Sequence, residues 1–244
     1  MAETYHERER LLRILSAATF LVFFQAYMVA PLIPRLAGMF GVSEERIGLI
    51  VPAYMLPYGV TTLFLGVLAD RIGRKRVLIF SLAAFSLLTA LTATAQSETQ
   101  LIGWRLATGL GASGIVPLAL SLIGQLFPYD QRGRPLGWLF GAMAGGMAFG
   151  STLGVIGALF IGWQGLFLGV SFLGALTLIL ILSYRSFLDS QPARGTLNTI
   201  LKGYGCLLSS ARALRTYSYV VLNGIFLRYL FVARIVFLAA FPLE

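Results

Sequence analysis

The sequence predicts an all-α integral membrane protein, a bundle of six membrane-crossing helices followed by a partial seventh. Three observations predict it. Of the 244 residues, 57% are hydrophobic and 12% are charged, whereas soluble domains carry about 25% charged residues. So few charges cannot cover a water-facing globule of this size. The apolar residues are also gathered into runs of about 20, the length a helix needs to cross ~30 Å of hydrocarbon. Finally, Lys and Arg return in every second loop between the runs, the bias that sets membrane orientation.

The runs cover 14–37, 47–69, 77–95, 101–126, 136–160 and 163–184, with a weaker one at 217–241. Each must be helical, because a spanning segment has to satisfy its own backbone amides. The first is too long for a signal-peptide core and ends without a small-residue cleavage site. It carries Gln25 and Tyr27, then Pro31 and Pro34. The second carries Tyr54 and Tyr58 one turn apart, with Pro52 and Pro57. Prolines free carbonyls toward a cavity, so Gln25, Tyr54 and Tyr58 are expected on a substrate-facing surface. The third run holds no charge. The fourth holds Arg105, and a buried arginine costs about 2.5–3.5 kcal/mol to insert. It should face a partner or a cavity, unless it snorkels to the nearby interface. The fifth is glycine-rich: Gly137, Gly141 and Gly145 are spaced by four, as are Gly146, Gly150 and Gly154. Small residues at that spacing let helices approach closely in lipid.

Basic residues stand at Arg8, Arg10 and Arg13, at Arg71–Arg76, at Arg132 and Arg134, and from Arg185 onward. The alternate loops are poor in them. The N-terminus is therefore expected in the cytoplasm, and the net charge of +9 reflects orientation rather than a nucleic-acid partner. The domains expected are a cytoplasmic tail at 1–13, the six-helix bundle at 14–184, a linker at 185–215 and a partial or aberrant seventh segment at 216–244. Leu197, Ile200, Leu201, Tyr204, Leu207 and Leu208 recur at helical spacing in the linker, as in an amphipathic helix lying on the membrane surface. Cys206 is the only cysteine, which leaves no intrachain disulfide.

Between the second and third runs stands Gly66-Val67-Leu68-Ala69-Asp70-Arg71-Ile72-Gly73-Arg74-Lys75-Arg76. This resembles the signature loop of major facilitator superfamily transporters at every defining position. Arg105-Leu106-Ala107-Thr108-Gly109 is similar to the family's fourth-helix motif, with Thr108 where glutamine is frequent. Gly137, Gly146, Gly150 and Gly154 resemble the antiporter motif of the fifth helix. Ser151 stands there in place of a proline and Val155 in place of a glycine. The resemblance covers about 14–215. It implies two inverted three-helix repeats, spans one to three and four to six, and a second six-helix half. It further implies Asp70 meeting arginines and a helix N-terminus, and Arg105 serving proton or substrate coupling.

The function expected is secondary transport of a small organic solute, proton-coupled efflux in the cell membrane. The partners are lipid, the solute and protons, with a homodimer or second transporter half completing the carrier. No enzyme activity, cofactor or metal is expected. Gly111-Ala112-Ser113-Gly114 is similar to a rhomboid protease motif, but the only histidine is His6, and a serine nucleophile needs a base. No Walker-type phosphate loop precedes either lysine. Arg228 and Arg234 lie about 240° apart on a helix and interrupt the seventh run. The alternative expectation is a non-transporting fragment of a disrupted transporter gene. On either reading these six spans alone do not transport.

Overall fold

A computed structural model describes residues 2–183 and, beyond them, 209–211, 214, 215, 218, 219 and 222. The chain forms two compact units, Met1–Ala193 and Arg194–Glu244. In the second, the Leu214 N–H donates to the Ser210 carbonyl at 2.9 Å, one helical turn within the expected linker. The other positions of 185–215 and 216–244 lie outside the described residues.

Helix α1 spans Ala2–Tyr27 and begins well before Ile14. Leu11, Leu12 and Leu15 are fully buried, so packing extends the helix into the expected tail. At 1.5 Å per residue it is about 39 Å long, which carries its first turns past the hydrocarbon. Pro31 and Pro34 cannot continue it. A 3₁₀ turn at Ala30–Leu32 leads into α2, Ile33–Phe40, which closes on Gly41 at φ 65°. Left-handed glycines commonly end helices this way. Ser43 caps the short α3, Glu44–Gly48, by accepting the Arg46 N–H. Helix α4, Ile50–Ile72, holds Pro57, and Gly73 separates it from α5, Arg74–Thr92. Ser97 caps α6, Glu98–Ala112, which gives way at Ser113–Gly114 to α7, Ile115–Leu126.

Helix α8, Gly133–Ser183, has 51 residues and is broken at Gly162 (φ 71°, ψ 170°). Unbroken, it would be about 77 Å long, more than twice the hydrocarbon thickness. A Cβ on Gly157 would lie 2.7 Å from Leu166 Cδ2. Nine residues apart on a straight helix, the two could not touch, so the chain doubles back at Gly162. Among the described residues, five helices are long and apolar enough to cross a membrane, and the fifth is two spans.

Span one packs on span five, span two on span four, and span three on spans four and six. Exchanging spans one to three with four to six turns the pair one–five into four–two and leaves three–six in place. These three pairings follow the symmetry of two repeats. Spans one and four form the buried axis: 61% of their apolar stretch is covered, against 17% for span two. Leu56, Phe64, Phe80, Phe160 and Phe172 point outward and exposed, as a lipid-facing surface requires.

Candidate functional site

Arg105 lies two turns into α6 and is 0% exposed. Its Nε donates to the Ile50 carbonyl at 3.2 Å and its Nη1 to the Gln25 carbonyl at 3.4 Å. Helix α1 ends at Tyr27, so the Gln25 carbonyl belongs to a last turn that lacks helical donors. The negative end of a helix dipole favours a cation, and Arg105 meets it. Its guanidinium also sits 4.4 Å above the Tyr54 ring, whose face attracts cations. Tyr58 stacks on Tyr54, with centroids 6.0 Å apart and planes at 13°.

Two polar atoms of the cluster are buried without a partner, Arg105 Nη2 and Gln25 Oε1. Gln25 Nε2 donates to Thr89 Oγ1 at 3.5 Å, and the Tyr54 hydroxyl to the Val22 carbonyl at 3.4 Å. Thr108 is close in sequence but spends its hydroxyl on the Trp104 carbonyl at 2.7 Å.

Gln25, Tyr54, Arg105 and Thr108 are all interior, and Tyr58 is partly so. The bundle satisfies them with its own carbonyls and rings, so Arg105 needs neither snorkelling nor a second chain to leave lipid.

At the end of span two, Asp70 Oδ1 accepts from Arg74 Nε at 3.2 Å and Nη2 at 3.0 Å. The pair is one helical turn apart and the Asp70 side chain is 42% exposed. Gly73 at φ 99° makes the turn, a conformation that side chains resist. Arg71 is exposed and Lys75 partly buried. Gly66 does not act in close packing: nothing among the described residues comes within 4 Å of where its Cβ would stand.

The glycines of span five divide. A Cβ on Gly146 would lie 2.6 Å from the Phe20 carbonyl oxygen, on Gly150 2.7 Å from that of Phe24, and on Gly154 2.7 Å from that of Met28. These three let span one's backbone lie directly against span five. Gly137 does not share the contact, for it meets nothing within 4 Å. Its spacing from Gly146 is nine residues, and on this helix that turns it off the packed face.

Three features went unseen in the sequence. A Cβ on Gly109 would collide with the Tyr54 carbonyl oxygen, so a glycine on span four does for span two what Gly146, Gly150 and Gly154 do for span one. Glu9 holds Arg134 through two bonds of 2.9 and 3.2 Å. Arg46 pairs with Glu98 at 2.6 Å. In the protease-like segment, Ser113 is fully buried and its hydroxyl donates to the Leu110 carbonyl at 2.6 Å. No metal-ligating cluster occurs among the described residues.

The sequence model of one family, described as the Major Facilitator Superfamily, matches residues 15–243. The chain belongs to the Major Facilitator Superfamily. Among curated relatives, it is 30% identical over 174 residues to the probable L-galactonate transporter of Escherichia coli K12, covering 68% of this chain and 38% of that protein. It is 34% identical over 143 residues to multidrug resistance protein 3 of Bacillus subtilis 168, covering 58% and 28%. With the multidrug resistance protein Stp of Mycobacterium tuberculosis it is 29% identical over 190 residues, covering 77% and 35%. The chain thus spans about a third of the length of these relatives.

Membership of the superfamily gives the departures in span five a structural meaning. Ser151 and Val155 are exposed, and Ser151 Oγ returns to the Met147 and Ala148 carbonyls at 3.2 and 3.1 Å. Both point away from span one. Both departures lie on the outer side of span five, while Gly146, Gly150 and Gly154 line the face against span one.

Proposed function

We propose that this chain forms one bundle of a secondary active transporter that exports a small organic solute in exchange for protons. The carrier sits in the cell membrane with its N-terminus in the cytoplasm, where the basic loops place it. The observation that carries the reading is Arg105, a buried cation with a free N–H that ties the ends of spans one and two to span four. Among the described residues no span holds a carboxylate near its middle, since Glu9, Asp70 and Glu98 stand toward span ends. The coupling charge of this bundle is therefore Arg105, balanced by the α1 carbonyl end and the Tyr54 ring. A water arriving between them, accepting from Arg105 Nη2 and donating to Gln25 Oε1, changes that balance. The arginine then exchanges one carbonyl for another partner and loosens span one from span two.

Alternating access rocks one bundle against another around a central site. These six spans supply one bundle, so a second, on the same polypeptide or another, completes the path. Asp70 and Arg74 form a latch at the cytoplasmic ends. Relatives named for multidrug resistance and for a sugar-acid transporter support a small organic solute as cargo.

The test joins this bundle to a second one in sealed vesicles under an imposed proton gradient and follows a panel of small organic solutes. Gradient-driven solute movement that Arg105→Met abolishes is expected. Movement indifferent to the gradient would refute proton exchange, and no movement of any solute would refute transport. The six spans alone, held monomeric, are expected to be inactive.

A further inference from the structure

A groove of about 670 Å³ lies between span one and the start of span five. The two helices run parallel here, since Phe20, Phe24 and Met28 meet Gly146, Gly150 and Gly154 in order. One end of the groove therefore holds Arg13, Ser16 and Arg134, and the other Phe20 and Phe149. Gly137 and Gly141 form its floor, and nothing fills the space above them. Trp138 stands at the polar end and is 58% exposed.

We infer that this groove binds an anionic phospholipid, its headgroup phosphate at Arg13 and Ser16 and an acyl chain over Gly137 and Gly141. Ser16 is 7% exposed and its Oγ has no partner. It lines both the groove and an adjoining pit of about 30 Å³, shared with Glu9, Leu12, Arg13, Arg134 and Trp138. That space admits one oxygen-sized group, and buried polar atoms of this kind normally have a partner. Charge then selects the sign of the ligand. Glu9 engages Arg134 through both carboxylate oxygens, whereas no acidic side chain among the described residues pairs with Arg13. The three groups together carry one net positive charge. An open, apolar trough with one cation unmatched by a carboxylate, Arg13, at the end where the helix leaves the hydrocarbon matches an amphiphile with a negative head. Tryptophan at that level is typical of the headgroup boundary. The inference stands apart from the direction or coupling of transport.

The test places the full chain in phosphatidylcholine vesicles doped with brominated phosphatidylglycerol or brominated phosphatidylcholine. The quenching assigned to Trp138 is the part lost in Trp138→Phe. About fivefold stronger quenching by the anionic lipid is expected, the size of one interfacial cation's preference. Arg13→Gln should remove the preference, and Gly141→Leu, which fills the trough without altering charge, should weaken quenching by both lipids. Equal quenching by the two lipids, or a preference that survives Arg13→Gln, overturns the inference. If Arg13→Gln fails to fold, Gly141→Leu decides: unchanged quenching overturns it and lost quenching supports it. Relief of the quenching by inorganic phosphate alone would overturn the lipid in favour of a free anion.

Discussion

Replacing Gly150 by alanine adds one methyl group where span five lies against span one. The new Cβ would stand 2.7 Å from the Phe24 carbonyl oxygen and 3.1 Å from Phe24 Cα. Ordinary C···O contacts between packed backbones are about 3.3–3.6 Å, so the helices must part by several tenths of an ångström. Gly146 and Gly154 sit as tightly one turn to either side, so that separation also opens both of their contacts. A gap of about 0.5–1 Å forfeits a quarter to a half of each dispersion well. Overpacking of this kind costs about 1–3 kcal/mol, and the better helix propensity of alanine offsets up to ~1 kcal/mol. The net loss is about 1–2 kcal/mol, a factor of roughly 5–30 in the unfolding equilibrium. Denaturant titration in mixed micelles, followed by loss of helical dichroism, measures it. Gly137→Ala is the control, because its Cβ meets open space and should leave stability unchanged or slightly raised. Wild-type stability in Gly150→Ala, or an equal loss in Gly137→Ala, would refute the reasoning.

Arg105→Met removes a buried charge along with two carbonyl partners. Each orphaned carbonyl costs about 1–3 kcal/mol, and the end of charge desolvation offsets it. The unfolding midpoint should therefore move little while gradient-driven transport falls at least about tenfold, a loss of ~1.4 kcal/mol of coupling; parallel losses in both would make the residue purely structural. Asp70→Asn breaks an exposed pair worth about 0–1 kcal/mol, so stability should hold while transport by a two-bundle carrier drops. Unchanged transport at normal expression would remove Asp70 from the mechanism. For orientation, a cysteine at Tyr129, 87% exposed, in a Cys206→Ser background should label from the cytoplasm, and one at Thr99 from outside. The reverse labelling would invert the topology.

Spans were legible because length and hydropathy are local properties. The gap left between Phe160 and Trp163 falls on the Gly162 break for that reason. The surroundings of Arg105 were not legible. Its carbonyl partners lie 55 and 80 residues away, and nothing near it in sequence indicates that a helix end will meet it. The same limit hid the partners of Gln25 and Tyr54, Thr89 and the Val22 carbonyl. Spacing by four marks a glycine stripe but not which stripe meets a neighbour, so Gly137 was grouped with the three glycines that pack. Gly109 stands in the fourth-helix motif, but its packing role is not legible there because it depends on the Tyr54 carbonyl opposite. The first turns of α1 read as a charged tail because Glu9 and Arg134 are 125 residues apart, and their pairing joins the burial of Leu11, Leu12 and Leu15 in making that stretch part of the bundle.

The crossed pairing of spans one–five and two–four has a consequence for biosynthesis. Span one leaves the ribosome before the other five spans, yet the helix that covers its backbone is made some 125 residues later. At about 5–20 residues per second, span one waits roughly 6–25 s for it. Throughout that interval the face holding Phe20, Phe24 and Met28 has only lipid, the insertion machinery or a chaperone against it. The first three helices therefore cannot mature as a finished half-bundle before Gly154 has entered the membrane. A nascent chain stalled between spans four and five would present an unclosed first helix, a ready signal for proteolytic removal before any complete bundle exists.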